Sequence, residues 1–302
     1  MLVASGHEVV AMTRSAQKAD RLRAIGATPI VADGLDRRAV ADAAVTAGPD
    51  VVIHQLTALA GFRSMKRWDR EWEQTDRLRT QGTDHLLEGA HAAGARRFVA
   101  QSYAGWPYAP HGGPVKTEQD PFDPNPPAQM RRTLDAIRYL EQKVLGTADL
   151  DGIVLRYGNL YGPGTSIALG GDIVETIRGR KLPIVGDGAG MWSFIHVEDA
   201  ASATLAAVDR GAAGVYNIVD DEPAPVSVWL PELARAVGAK PPRRVPAWLA
   251  RPLIGAPGVS MMTRVRGASN AKAKRELDWQ LRYPSWREGF RTGLDDSAAE
   301  RK

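Results

Sequence analysis

Residues 1–15, MLVASGHEVVAMTRS, read as the end of a helix, a turn and then a strand. Gly6 sits where a helix C-cap belongs, since glycine enters the left-handed region without steric cost. Residues 7–13 are a β-branched, apolar run of strand type. Working outward, residues 16–25 read as a helix closed by Gly26, and residues 29–32 as a short strand leading to Asp33. Residues 36–47 are helical and stop at Gly48-Pro49, and DVVIHQ at 50–55 is a buried strand. A long amphipathic helix is expected over 68–93, ending at Gly94, and then a strand, RFVAQ at 97–101, leading to Ser102. Another helix spans 130–145 and another strand, GIVLR, spans 152–156. Strands and helices alternating in this way predict an α/β fold with a doubly wound parallel sheet.

Past Gly164 helices and short irregular segments dominate, with one clear strand at 215–219. The expected division is 1–165 for the main domain and 166–302 for a smaller α+β region, with 214–220 returning to the first sheet. Residues 107–127 are proline-rich and aperiodic, so they read as a surface loop near the strand ends, where binding loops usually lie.

Composition narrows the chemistry. With 302 residues, 44% hydrophobic and 25% charged, the chain is of ordinary globular type. The absence of cysteine excludes disulfides, thiolate metal sites and cysteine nucleophiles. The six histidines show no metal-ligand spacing, so no metal is expected. No apolar run is long enough to span a membrane and no signal-peptide pattern opens the chain, so a cytoplasmic protein is expected. The net charge of +4 suits anionic small molecules such as dinucleotide phosphates. Only Arg131-Arg132, Arg243-Arg244 and residues 272–275 approach a basic cluster, and they are too short to predict nucleic-acid binding.

Four segments, in register across nearly the whole chain, resemble the extended short-chain dehydrogenase/reductase family, the NAD-dependent epimerase/dehydratases. They are RYGNLYGPG at 156–164, LPIVGDGAGMWSFIHVEDAASA at 182–203, GVYNIVDDEP at 214–223 and SNAKAKRELDWQLRYPSWREGF at 269–290. The resemblance implies a Rossmann-like domain that binds NAD or NADP, a small-molecule substrate, and a possible homodimer through the long helices at 68–93 and 130–145. It also implies a hairpin around Gly186-Asp187-Gly188 and a helix that begins at Val197-Glu198-Asp199.

Site residues follow from the same resemblance. Ser102 corresponds to a serine that hydrogen-bonds the reacting oxygen, where a hydroxyl donor stabilises a developing alkoxide. The family's acid–base pair is Tyr-x-x-x-Lys on a helix, its lysine lowering the tyrosine pKa. Tyr139 and Lys143 have that spacing, on one helix face. Yet Tyr139 stands seventeen residues before Arg156, against about twenty-two in the family pattern. If Glu141 fills the family's glutamate position one turn after the lysine, Thr133 and Ile137 occupy the Tyr and Lys positions instead. Tyr103 and Tyr108 are further candidate acids. For the cofactor, Thr13 and Arg14 end the first strand without an acidic residue, and an arginine there favours NADP. Asp33 and Gly34 match the adenine-contacting turn, and His54, Gln55 and Leu56 the turn after the next strand. On the substrate side Tyr103, Trp106, Asn159 and Trp192 are candidates. The segment MWSFIH at 191–196 lacks the arginine that pairs with the diphosphate of nucleotide sugars. A small non-nucleotide carbonyl or alcohol is therefore expected.

In the complete family unit a strand and a glycine-rich turn precede the segment that opens this chain, and that turn carries the pyrophosphate. The expectation is that this part has been lost through a misassigned start, a decaying gene copy, or recruitment to a role without dinucleotide. Its strand belongs at the sheet centre, so its neighbours would lose a ladder partner. An NAD(P)-dependent oxidoreductase or epimerase is the reading; a non-catalytic ligand-sensing or interaction protein is the alternative.

Overall fold

The computed structural model describes residues 1–59 and 64–295. In chain order, β1 (Val10–Thr13), α1 (Ala16–Ala24), β2 (Thr28–Val31), α2 (Arg37–Ala47) and β3 (Val51–His54) lead to a broken helix. Its pieces are α3 (Trp68–Glu71), α4 (Glu73–Arg77), a π turn (Leu78–Gly82) and α5 (Thr83–Ala92). There follow β4 (Arg97–Tyr103), β5 (Val115–Lys116), α6 (Arg131–Gly146), β6 (Asp151–Tyr157) and β7 (Asn159–Tyr161). The rest runs α7 (Asp172–Arg178), β8 (Ile184–Val185), β9 (Met191–Trp192), β10 (Phe194–His196), α8 (Val197–Asp209), β11 (Gly214–Ile218) and β12 (Ala224–Pro225). Last come α9 (Val226–Ala236), β13 (Arg244–Val245), α10 (Ala247–Thr263), β14 (Gly267–Ala268), α11 (Ala271–Glu276) and α12 (Trp286–Thr292).

The fold is α/β with a parallel sheet. Four parallel strands run in the order β11-β6-β4-β3, so the late strand β11 pairs with β6. Alternate residues point to opposite faces, which is why each strand feeds two layers. Val99, Ile153, Leu155, Tyr216 and Ile218 pack under the alanine face of α8, at Ala203, Ala206 and Ala207. Phe98, Ala100 and Val154 pack on the other side against Leu87 and Ala90 of α5 and Leu140 and Val144 of α6. Helices on both faces bury the sheet as a doubly wound fold requires.

β1 and β2 form a separate parallel ladder, Val10 opposite Thr28 through Thr13 opposite Val31. Among the described residues, β1 and β3 each keep one edge without a ladder partner.

Three local expectations change. The helix expected over 68–93 is interrupted at Trp72 (φ −95°, ψ −6°) and again at the π turn. Ser102 lies within β4 and not after it, because Ser102 and Tyr103 continue the ladder opposite Arg156 and Tyr157. No hairpin forms around Asp187: β8 pairs with β13 and β9 with β12, while the Asp187 carboxylate accepts the Ala189 N–H in a local turn. α8 does begin at Val197, with the His196 ring accepting the Glu198 N–H.

A large aromatic cluster holds the C-terminal region to the sheet. Trp192, Phe194, Trp229, Trp286 and Phe290 pack with Tyr161, and the cluster extends to Trp68, Trp106 and Leu134. Among the described residues no helix is long and apolar enough to cross a membrane.

Candidate active site

The carboxyl ends of β1, β2 and β3 open on one side, as they must in parallel strands, and carry the candidate cofactor residues. Ala32 N–H donates to the Thr13 carbonyl, joining the ends of β1 and β2. Asp33 turns the chain by accepting the Leu35 N–H at 3.0 Å. Gly34 is a close approach: a Cβ there would stand 2.5 Å from Leu56 Cδ1. The end of β2 is thereby packed on the turn after β3, and His85 holds it by donating Nδ1–H to the Gly34 carbonyl at 3.1 Å. Gln55 donates to the Tyr157 hydroxyl at 3.1 Å. Arg14 is exposed and belongs to none of the ion pairs among the described residues. An exposed cation beside a closely packed glycine turn suits the adenosine end of a dinucleotide. These residues would hold the ribose and adenine; they supply no glycine-rich pyrophosphate turn.

His54 is buried at the end of β3. Its Nδ1 accepts the Leu56 N–H, so the proton sits on Nε2, which donates to Thr83 Oγ1 at 3.1 Å. Thr83 passes a bond on to the Arg79 carbonyl. Burial, with a smaller contribution from the nearby Arg79 charge, pushes the His54 pKa from 6.5 down to about 4. The unfolded chain therefore takes up a proton that the native ring refuses. The resulting stability is whole above pH 6.5 and is lost as pH falls toward about 4. The expected loss across that window is roughly 3 kcal/mol. Urea unfolding of wild type and His54→Gln at either end of the window checks this. The difference between the two proteins isolates His54, because Asp76, Asp199 and Asp220, whose pKa values burial raises, act oppositely in both. Equal pH slopes in the two proteins would contradict it.

Ser102 is 2% exposed and donates to Glu141 Oε1 at 2.6 Å. Glu141 also receives Arg156 in a bidentate pair, Nε to Oε1 at 2.8 Å and Nη2 to Oε2 at 2.6 Å. Arg156 lies 4.3 Å from the Phe122 ring centroid and donates Nη1–H to the Tyr108 hydroxyl, which donates to Asn217. The structure thus brings Ser102 together with Glu141 and Arg156 in a closed network linking β4, α6 and β6.

It does not bring Ser102 together with Tyr139 and Lys143. Residues two apart on a helix point in nearly opposite directions, so Tyr139 faces away from Glu141, toward α5. Its hydroxyl donates to both Asp84 oxygens at 2.8 and 2.7 Å. Burial and that carboxylate push its pKa up to about 12. Lys143 is 3.9 Å from the same carboxylate and half exposed. On the face that Glu141 shares stand Thr133 and Ile137, both buried. Thr133 accepts the Trp68 indole N–H at 3.1 Å and donates to Asp76 Oδ2 at 3.1 Å.

Tyr103 points from β4 to the side opposite Ser102 and donates to Asn159 Oδ1 at 2.7 Å. Asn159 in turn donates to the Ser193 carbonyl. Both residues are half-buried. Burial raises the Tyr103 pKa. Trp106 lies beside Tyr103, 6.4 Å between ring centroids, and edge-on to Trp68 at 5.4 Å. Trp192 belongs to the aromatic cluster, tilted against Trp229 with ring centroids 4.8 Å apart and donating to the Met261 carbonyl.

Sequence reading missed Asp76 and Arg79. Their signal was present: Trp68, Trp72, Asp76 and Arg79 recur at spacings of four, four and three, which puts aromatic and charged groups on one helix face.

Comparison with known proteins adds the family context. The profile of the NAD dependent epimerase/dehydratase family matches residues 1–219. The chain is 46% identical over 290 residues to a 3-diazoavenalumate denitrifying reductase from a Streptomyces species, covering 96% of this chain and 93% of that protein. It is 28% identical over 298 residues to a 2-alkyl-3-oxoalkanoate reductase of Stenotrophomonas maltophilia, covering 94% and 85%. Among solved structures, a Thermotoga maritima UDP-glucose 4-epimerase superposes with a TM-score of 0.76 at 21% identity, covering 99% of this chain and 93% of that one.

Proposed function

The chain belongs to the NAD-dependent epimerase/dehydratase family, and from that premise we propose that it is an NADP-dependent reductase replacing a diazo group on a small carboxylate by hydrogen. The relatives are NAD(P)-type oxidoreductases, which supports an enzyme over a non-catalytic scaffold protein. The observation that carries the finer reading is the state of α6. The two helix positions in register with Glu141 hold Thr133, whose hydroxyl is engaged by Trp68 and Asp76, and Ile137, which is 1% exposed.

Carbonyl reduction puts charge on an oxygen that a positioned acid must quench. Displacement of dinitrogen leaves a C–H bond and a gas, with no oxyanion to protonate. A nicotinamide dinucleotide, held by the strand-end residues, would supply a hydride for the balance R–N2+ + NADPH → R–H + N2 + NADP+. The residues of the chain bind and orient. In this reading Arg14 would meet a 2′-phosphate, Asp33, Gly34 and His54 to Leu56 would line the strand-end crevice, and Tyr103 with Trp106 would offer an aromatic wall. Tyr139 and Lys143, on the outer side of α6, fit a surface or homodimer role in this reading.

A carbonyl reductase is the second reading. It is favoured by the Tyr103 hydroxyl beside Asn159 and by the oxoalkanoate reductase relative. The test is incubation with NADPH and 3-diazoavenalumate carrying a labelled diazo group. Labelled dinitrogen should appear in step with NADPH oxidation, and Tyr139→Phe should retain kcat within about threefold. A loss of about a hundredfold in Tyr139→Phe would return that tyrosine to the role of acid. Turnover of 3-oxoalkanoates without dinitrogen release would favour the second reading.

A further inference from the structure

Arg79 is a buried charge that no carboxylate among the described residues closes on. It sits in the π turn and is 4% exposed. Among the described residues its Nη1 has no hydrogen-bond partner and no ion pair includes it. Its guanidinium lies 5.3 Å from the Trp72 ring centroid. One turn earlier, Asp76 commits Oδ2 to Thr133 and Arg132, while Oδ1 is buried without a partner among the described residues. Charges near this centre do not balance. Arg79, Arg132 and Arg156 face Asp76 and Glu141, and Glu141 is already closed on Arg156. Burial pushes the Arg79 pKa down to about 10, opposed by Asp76, Glu141 and Tyr103, so the group stays cationic at neutral pH.

A buried guanidinium short of one partner is costly unless an anion joins it. A π turn is itself a feature found mostly where a side chain has been re-aimed for function. The surroundings specify what the anion belongs to. Trp72 stacks on Trp68 at 4.9 Å, Trp68 meets Trp106 edge-on, and Trp106 meets Tyr103. The cation thus adjoins a chain of ring contacts that runs from Trp72 to Tyr103, and Tyr103 and Asn159 are its half-buried members.

We propose that Arg79 is the specificity-determining anchor for the carboxylate of an unsaturated or aromatic acid whose flat body lies along Trp72, Trp68, Trp106 and Tyr103. The identity of the acid rests on the diazo-carboxylate reading above. Arg79 takes no part in bond making; it fixes which end of the substrate lies deepest, and thereby which carbon is presented for reduction. A carboxylate held by a buried guanidinium is preferred over its neutral ester by roughly 10- to 100-fold.

The experiment is calorimetric binding of avenalumate, the product without its diazo group, and of its methyl ester, to wild type saturated with NADP+ and to Arg79→Met and Arg79→Lys. Wild type should prefer the acid by the stated factor. Arg79→Met should bind acid and ester alike, with the ester affinity showing that the variant is folded, and Arg79→Lys should recover part of the preference. The anchor is overturned if wild type binds acid and ester equally. It is also overturned if Arg79→Met keeps the preference, or if Arg79→Met loses NADP+ affinity while the acid-to-ester ratio stands. Failure of wild type to bind either avenalumate or its ester would instead overturn the substrate reading, and the anchor with it.

Discussion

Replacing Glu141 by alanine is expected to destabilise the protein by about 3–5 kcal/mol. Both partners of the Glu141–Arg156 pair are buried, with side-chain exposures of 8% and 7%. The variant leaves the Arg156 guanidinium in a dry interior facing Phe122 and Tyr108, and leaves the Ser102 hydroxyl without its acceptor. Removing one member of a buried pair costs far more than the pair contributes, because the surviving charge has nowhere to go. A double variant, Glu141→Met with Arg156→Met, should therefore recover much of the loss. Urea denaturation of the single and double variants reads both numbers. A loss below about 1 kcal/mol in the single variant would mean that water replaces the carboxylate, and that this network is not what fastens α6 to the sheet.

Gly152→Ala is the second large effect, with an expected cost of about 3 kcal/mol, at the upper end for overpacking. Gly152 is where β6 passes under the end of α6. An added Cβ would stand 2.2 Å from the Val144 carbonyl oxygen and 2.9 Å from its carbon. These are backbone atoms near the end of α6, so no rotamer change relieves the clash. The helix must shift, and it carries Thr133, Ile137 and Glu141. Thermal unfolding should show the loss. A variant within about 0.5 kcal/mol of wild type would show that the end of α6 has slack.

How much of this was legible in the sequence depends on whether a feature is local. DVVIHQ announces a strand because three consecutive β-branched apolar residues favour extended backbone, although β3 lies at a sheet edge and only His54 is fully buried, Val51, Val52 and Ile53 being half-buried. Asp36 announces a helix start, and its carboxylate does accept the Ala39 N–H. The π turn was not legible, because its apolar period is nearly that of an α-helix and the extra residue is absorbed over five positions. The hairpin around Asp187 was misread for another reason. A turn signal shows that the chain reverses, but β8 finds its partner in β13, about sixty residues on, and periodicity carries no address. Tyr139 and Lys143 have the right mutual spacing, yet spacing cannot say which face of α6 meets the sheet. Glu141 does, since a carboxylate inside a helix of this kind must find a buried cation, and Arg156 is the one β6 presents.

The two buried carboxylates Asp199 and Asp220 have a consequence for how the chain is made. Asp199, in the first turn of α8, accepts the N–H groups of Arg282 and Tyr283, and Asp220, just past β11, accepts that of Trp286. These bonds span 83, 84 and 66 residues of sequence. During synthesis, with the chain emerging at about 5–20 residues per second, both carboxylates leave the ribosome seconds before the segment that satisfies them. Until residues 282–286 arrive, α8 and the end of β11 must keep those groups wet. The aromatic cluster around Phe194 likewise lacks Trp286 and Phe290. The last segment therefore acts as a clasp, and a nascent chain stalled short of it holds an open core that chaperones and proteases can read.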